Sequence, residues 1–556
     1  MRYFFILLFL SSCSYDVKIN EADLILTSNK VILMTGDHEA QPLSIAIKNE
    51  NIIWIGSHED AKDIKGKQID YGDHAILPGF VDAHGHASYL AFASQVANIA
   101  SPPVGKINTI EELQTALKRF IKDSNLQAGE WVMGLGYDDS LLKERRHPTK
   151  DDLDAVSTEH PIYLIHVSAH LGAANSLGLS LAGINSKTPN PPGGKIRRYK
   201  NSTEPNGVFE ETAAYPVQQL AMSAYKDPIG SVKKAMDIYA KHGITTAQDG
   251  ASSPETIALM KAADLQGMIN LDIISYPIGQ NGLDENINSI NFGKYEGRVK
   301  IGGIKLILDG SPQGKTAYLT EPYYKPPHSE SESYKGYPLI PQSEVSKWVK
   351  KYAELNIPIM AHANGDAAAD MLIKAVNDAE ITSDHRTIMI HAQTVREDQL
   401  DQMEELKIIP SYFSTHTFYW GDWHRDSVFG EERAMRISPT KSTLNRKMPF
   451  TVHNDAPVVP PDMIRLLWST TNRETRSGKV LGEEQKISTY AALEAMTINA
   501  AYQHFEDDIK GSIQVGKLAD LVVLSEDPLS LEVDDLLKLR VVATYSHGEE
   551  IFNTKK

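Results

Sequence analysis

Ala75-Ile76-Leu77-Pro78-Gly79-Phe80-Val81-Asp82-Ala83-His84-Gly85-His86 is an apolar run that stops at two imidazoles. Residues two apart on an extended strand point to the same side of the pleat, so both rings can reach one metal ion. Gly85 between them is expected to leave room for that ion near the backbone. In a chain with 19 histidines a single His-x-His is within the reach of chance. It gains meaning only if further ligands follow at other strand ends.

They do. Gly302-Gly303-Ile304-Lys305-Leu306-Ile307-Leu308-Asp309-Gly310 places a lysine inside an apolar strand, where an ammonium is costly unless it is paired or chemically altered. Pro358-Ile359-Met360-Ala361-His362 and Thr387-Ile388-Met389-Ile390-His391 are apolar strands with a His at the polar end. Pro449-Phe450-Thr451-Val452-His453-Asn454-Asp455-Ala456-Pro457 ends in a carboxylate and a strand-stopping proline. Taken singly, such a His is a polar residue with a hydrogen bond, and such an Asp is a turn or helix cap. Together, His84, His86, Lys305, His362, His391 and Asp455 make a set of neutral imidazoles and a carboxylate suited to a zinc-like divalent ion.

Between these strands the chain alternates apolar strands with amphipathic helices, as in Ser231 to His242 followed by Gly243-Ile244-Thr245-Thr246-Ala247. Such βα alternation predicts a parallel sheet with helical crossovers, and at this length an α/β (β/α)8 TIM barrel whose chemistry lies at the C-terminal strand ends. The segment from Ala22 to Tyr71 and the end of the chain (Gly511-Ser512-Ile513, Leu518 to Leu524, Val541 to Tyr545) instead carry short β runs between turn residues. The expectation is a β-sandwich from 22–76 and 507–556, with the barrel over 77–506.

Composition narrows the function. A net charge of −16 and no cluster of Lys and Arg exclude a polyanion partner such as nucleic acid. Met1-Arg2, an apolar run from Tyr3 to Leu10 and Leu10-Ser11-Ser12-Cys13 read as an export signal over 1–13, too short to be a permanent membrane helix. Its ending resembles a bacterial lipobox, which predicts an exported protein held at a membrane by lipid on Cys13; an ordinary cleaved signal with an incidental Cys is the plain alternative. Cys13 is the only cysteine, so no disulfide forms within the chain and no thiolate serves a metal.

Leu77 to His86, the Lys305 strand with Asp309-Gly310-Ser311, Asn454-Asp455-Ala456-Pro457 and Gly511-Ser512-Ile513-Gln514-Val515-Gly516-Lys517-Leu518-Ala519-Asp520-Leu521 together resemble the amidohydrolase superfamily, in the branch similar to N-substituted formamide deformylases. The resemblance implies a distorted barrel around one or two divalent ions, expected to be zinc. It implies that His84, His86 and Asp455 hold the first ion, that His362 and His391 hold the second, and that a carbamate on Lys305 bridges them; a salt bridge from Lys305 to a carboxylate is the alternative. It further implies that Asp455 moves the proton of the attacking water. Many relatives have Gly-Ser where this chain has His453-Asn454; on a regular strand His453 shares the face of Asp455 and Asn454 turns away.

Less determined candidates are His170 with Asn175, which resemble a family segment that touches substrate but read equally as core or cap, and the barrel-loop residues Tyr137-Asp138-Asp139, Glu210 and Asp249. The ring-rich stretch Tyr412 to His424 is expected to wall an apolar site, or to pack against a neighbouring subunit in a homo-oligomer. The leading function is hydrolysis of a non-peptide C–N bond in a small amide, N-formyl or N-acyl compound. Deamination of a heterocycle and a non-catalytic small-molecule-binding lipoprotein are the competing readings.

Overall fold

The computed structural model describes residues 19–223, 226–280, 287, 290–327 and 330–555. The lipobox segment through Cys13 lies outside the described residues. Among the described residues no helix is long and apolar enough to cross a membrane.

The centre of the molecule is parallel. Eight strands follow one another in chain order: β1 (Phe80–Val81), β2 (Ile244–Ser252), β3 (Asp272–Pro277), β4 in two stretches (Val299–Ile301 and Ile304–Ile307), β5 (Ile359–Ala363), β6 (Ile388–His391), β7 (Ile409–Tyr412) and β8 (Thr451–Val452). Each pairs in parallel with the next as far as the first stretch of β4, and again from its second stretch to β8. A parallel bridge from Ile278 to Lys305 joins the two groups, and backbone bonds from Asp455 N to His84 O and from His86 N to Ala456 O link the residues that follow β8 and β1. These strands are buried at nearly every position, as expected where helices cover a parallel sheet. Helix α1 (Ala87–Ala93) follows β1, and α3 (Pro254–Leu265) follows β2, started by Ser253 in a capping box with Thr256 and by Pro254 in its first turn. The layout is of TIM-barrel type.

Register places the chemistry. Ile307 pairs with His362 and Ala363 with His391, so the C-terminal ends of β4, β5 and β6 lie side by side. Both terminal segments contribute to a single eight-stranded sheet, in which Ala75–Pro78 sits between Glu21–Val31 and Leu521–Leu524. Leu24, Leu26, Ile45 and Ile47 are buried on one of its faces, and Ile25 and Ala46 on the other. The strand Ala75–Pro78 passes through Gly79 directly into β1.

One part of the expected alternation is different. The residues between β1 and β2 include a separate six-stranded sheet, in the order Gly194–Arg198, Pro205–Glu211, Leu171–Ala174, Ile162–His166, Val132–Tyr137 and Ala97–Asn98. Its first four strands pair antiparallel, and its two faces bury their own apolar clusters, around Phe209 and around Leu164. Helix α2 (Tyr215–Met222) follows it. These pairings are between runs whose apolar texture is the same as that of the barrel strands, which is why the sequence read as uninterrupted βα alternation.

Candidate metal centre and active site

The six strand-end residues converge. His84 Nε2 and His86 Nε2 lie 3.4 and 3.0 Å from the same oxygen of Asp455, and ligand atoms of these three residues all lie within 4.8 Å of one another. Lys305 Nζ is 3.0 Å from His84 Nε2. His362 Nδ1 and His391 Nε2 are 3.1 Å apart, and the His84 and His391 rings have centroids 5.5 Å apart. These donors fit divalent ions: imidazole nitrogens and a carboxylate oxygen point at common points, while the other ring nitrogens are engaged by the protein. Thus His84 Nδ1 meets the Gln248 side-chain oxygen, His86 Nδ1 meets the Gly250 carbonyl, and His362 Nε2 lies 3.1 Å from the Gly310 carbonyl.

Burial prepares these groups for binding. It holds His84, His362 and His391 well below the ordinary imidazole pKa, and neighbouring positive groups add to the effect, so the rings are neutral donors. For Asp455 burial acts the other way, but the hydrogen bond from His86 and the charges of His86, His453 and Lys305 outweigh it and keep the carboxyl below its usual range. Lys305 is 1% exposed, and burial pushes its amine down to about 7, Asp455 offsetting this only in part. Among the described residues no carboxylate oxygen lies within 4.0 Å of its Nζ, so the salt bridge entertained for it is not formed.

Glycine spacing accounts for the tight fit. A Cβ on Gly85 would lie 2.3 Å from a carboxylate oxygen of Asp82, so the room left at Gly85 is taken by that buried acid. A Cβ on Gly250 would lie 2.6 Å from the His84 ring. Gly250→Ala is therefore expected to tilt His84 and to weaken divalent-ion affinity by about 10- to 100-fold, the range for disturbing a ligand's supporting contacts. Titration against a chromogenic chelator checks this; unchanged affinity would show that the ring can relax without loss.

The site opens into a cavity of about 350 Å³ lined by His86, His170, Lys305, His362, His391 and Asp455 among others. His170 reaches it from the inserted sheet, with its ring 5.0 Å from that of His362. Its Nδ1 lies 2.7 Å from the buried carboxylate of Glu211. Burial alone would lower the His170 pKa, but the Glu211 charge and hydrogen bond prevail and raise it. Glu211 itself adopts φ 50°, and Ala169, Ala251, His391 and Asp455 around the cavity are also left-handed. Such strained non-glycine backbone gathers where surrounding structure fixes a site.

Glu211 and Gln248 were not singled out in the sequence. A carboxylate one residue along from Glu210 at the end of a strand was the available signal for the first; a lone Gln offers none for the second. The other candidates are placed elsewhere. Asn175 caps the helix Ser176–Leu181 and bonds Ile162 N, a structural role. Glu210 pairs with Arg197, while Asp249 binds Ser88 N and Oγ at the start of α1. Tyr137, Asp138 and Asp139 belong to a second polar group, in which Asp139 lies 3.2 Å from His166 and 3.6 Å from His147, and Asp138 accepts from Trp420. His453 stands behind the site, bridging His391 and Ser411, and Asn454 turns to Met463.

The ring-rich stretch does not wall the cavity. His416–Trp423 is a helix whose His416 and Trp420 pack against each other and on Phe413, and none of its described residues is on the cavity lining. Those rings close a second, small apolar cluster with Val167, Val458 and Val459. The cavity wall comes instead from α1, α2 and α3, with Tyr89, Phe92, Tyr215, Met222 and Leu259.

A family model, the amidohydrolase family, matches residues 67–552. The chain belongs to the amidohydrolase family. It is 27% identical to an N-substituted formamide deformylase of Arthrobacter pascens, over 91% of this chain and 94% of that protein. It is 25% identical to the amidohydrolase YtcJ of Bacillus subtilis (strain 168), over 92% and 96% respectively. In fold it is similar to a metal-dependent hydrolase from Pyrococcus horikoshii, with a TM-score of 0.72 and 22% identity over 92% of this chain and 99% of that one. This amidohydrolase is thus a hydrolase that uses divalent metal, with His84, His86 and Asp455 grouped as candidate ligands.

Proposed function

We propose that this amidohydrolase hydrolyses a non-peptide C–N bond of a small amide, N-formyl or N-acyl compound. The observation that carries the reading is the gathering of His84, His86, Asp455, Lys305, His362 and His391 at one site, all but His84 lining a cavity shared with the His170–Glu211 pair. The similarity to an N-substituted formamide deformylase over nearly the whole chain supports it. His84, His86 and Asp455 would hold a first zinc ion, His362 and His391 a second, and Lys305, carbamylated, would bridge them. Carbamylation requires a neutral amine to attack CO₂ with loss of a proton, and a pKa of about 7 makes that amine available.

A divalent ion bound there supplies Lewis-acid polarisation of a carbonyl and lowers the pKa of water from 15.7 to about 7. The chain's own residues handle the protons. Asp455, kept ionised, takes the proton of the attacking water and returns it to the leaving nitrogen. His170, its Nδ1 held by Glu211, presents Nε2 as a donor to the oxygen of the tetrahedral adduct or to the leaving group. The reading also includes a barrel over 77–506, a β-sandwich of 22–76 and 507–556, and an exported protein anchored to a bacterial membrane through Cys13.

Incubation of the zinc-loaded protein with N-formyl and N-acetyl amines is expected to release carboxylate and amine in equal amounts. No turnover of any amide by fully loaded protein, or ammonia from a heterocycle in its place, would overturn the reading.

A further inference from the structure

The four imidazoles of the metal centre are not held alike. His84 turns its outer nitrogen to the side-chain oxygen of Gln248, His86 to the Gly250 carbonyl and His362 to the Gly310 carbonyl. His391 turns its own to another imidazole: its Nδ1 lies 3.2 Å from His453 Nε2, and His453 Nδ1 lies 2.9 Å from Ser411 Oγ. Three successive strands build this chain of contacts. Ile390 of β6 pairs with Ser411 of β7, Tyr412 pairs with Val452 of β8, and the His453 amide then donates to the Tyr412 carbonyl at 3.0 Å. His453 and Ser411 are fully buried, with the His453 ring centroid 5.2 Å from those of both His84 and His391 and 5.5 Å from that of Phe413. The backbone leaves His391 in need of such an anchor. It and Ala392 have φ of 70° and 45°, so they do not continue the extended geometry by which a strand aims its side chains.

Resting on the two-ion reading above, we propose that His453 is a positioning residue for the second ion, fixing the tautomer and tilt of His391 so that its Nε2 presents a lone pair to the metal. Nε2 of His391 faces Nδ1 of His362 at 3.1 Å, and only an unprotonated nitrogen can bind an ion there. The ring proton of His391 then sits on Nδ1 and is donated to His453 Nε2, and His453 in turn donates its Nδ1 proton to Ser411 Oγ. Each bond fixes the direction of the next. Without an acceptor at the place of His453 Nε2, the Nδ1 proton of His391 is buried with no partner. The tautomer that escapes this penalty puts the proton on Nε2, the nitrogen that must bind. The first ion has no such dependence, since Gln248 and Gly250 hold His84 and His86.

Zinc binding to the full chain with His453 replaced tests this, because the substitutes divide its two bonds. A glutamine amide reaches the place of Nε2 and offers His391 an oxygen, as Gln248 does for His84, whereas asparagine reaches only the place of Nδ1 and faces Ser411. Affinity is read by competition with a chromogenic chelator, and bound zinc is counted by elemental analysis. Second-ion affinity is expected to fall about 10- to 100-fold in His453→Leu and His453→Asn and to stay within about threefold of wild type in His453→Gln. First-ion affinity is expected to be unchanged in all three. Thermal melts of the metal-free proteins report folding, and if the leucine variant does not fold, the comparison of glutamine with asparagine decides alone. His453→Gln and His453→Asn binding the second zinc alike, whether as tightly as wild type or more weakly, would overturn the inference while leaving a two-ion centre standing. So would an equal loss of the first ion, which would make His453 a general support of the core. Wild-type protein that binds only one zinc would overturn the two-ion reading itself and the role built on it.

Discussion

Asp455→Asn is expected to lower kcat by about 10³-fold or more while leaving the chain folded, because a positioned acid–base group alone contributes about 10²- to 10⁴-fold. The amide is nearly isosteric with the carboxyl and preserves the hydrogen bond that closes on His86 Nε2 at 3.0 Å. What it lacks is a charge and a basic oxygen. Asp455 is the side chain shared by His84 and His86, and its carboxyl is held below its usual range in a buried place chiefly by the hydrogen bond from His86. Asn keeps one coordinating oxygen, so some metal is retained and the loss falls on kcat more than on KM. Metal content, a thermal melt and steady-state rates on one preparation check the prediction. Undiminished kcat at full metal occupancy would remove Asp455 from the proton-transfer role.

Lys305→Met is expected to abolish measurable turnover and to stabilise the metal-free protein. Methionine fills a similar volume in a buried slot without bringing a charge. The wild-type amine shows what that charge costs: burial moves it from 10.5 to about 7. At about 1.4 kcal/mol per pKa unit, the penalty is bounded at roughly 5 kcal/mol. The sign follows from proton linkage. Between pH 7 and 10.5 the unfolded chain binds the proton that the folded chain has released, so metal-free wild type gains stability as pH rises through this window. Below pH 7 the penalty is felt in full. Lys305→Met removes that dependence, so its advantage in denaturant midpoint is expected to be largest at pH 6 to 7 and to fade towards pH 10. Equal stabilities of the two metal-free proteins at pH 6 would show that water or a rearranged partner already satisfies the amine. With metal and bicarbonate present the order should reverse in function, the wild type alone retaining the second ion.

Much of the metal centre is legible from single strands because the physics that places it is local. A His or Asp at the polar end of a β run is carried to the C-terminal rim by the strand itself, and parallel pairing of Ile307 with His362 and of Ala363 with His391 then sets those ends abreast. Lys305 stood out for a different reason, as a charge in a run with no room for one. The sequence does not reveal residues whose role depends on distant packing. Gln248 gains its meaning only from its contact with His84, 164 positions earlier in the chain. Glu211 reaches His170 through an antiparallel pairing of Leu171–Ala174 with Pro205–Glu211 that no local pattern announces. The ring-rich stretch misled because density of aromatics marks a place of burial without telling which side of it is wet. The six-stranded sheet went unseen because the residue preferences of a strand do not encode which strand will lie next to it.

Ala75–Pro78 pairs antiparallel with Leu521–Leu524, Leu77 facing Val522, and leads without a loop into β1 and the ligands His84 and His86. On the ribosome these two histidines emerge well before the strand that anchors their own stem. Of the six candidate ligands, the first two made thus wait on a partner strand that is made after all the others. A polypeptide halted before residue 521 would carry all six candidate ligands and still lack the partner strand of Ala75–Pro78, and such a chain should take up zinc poorly.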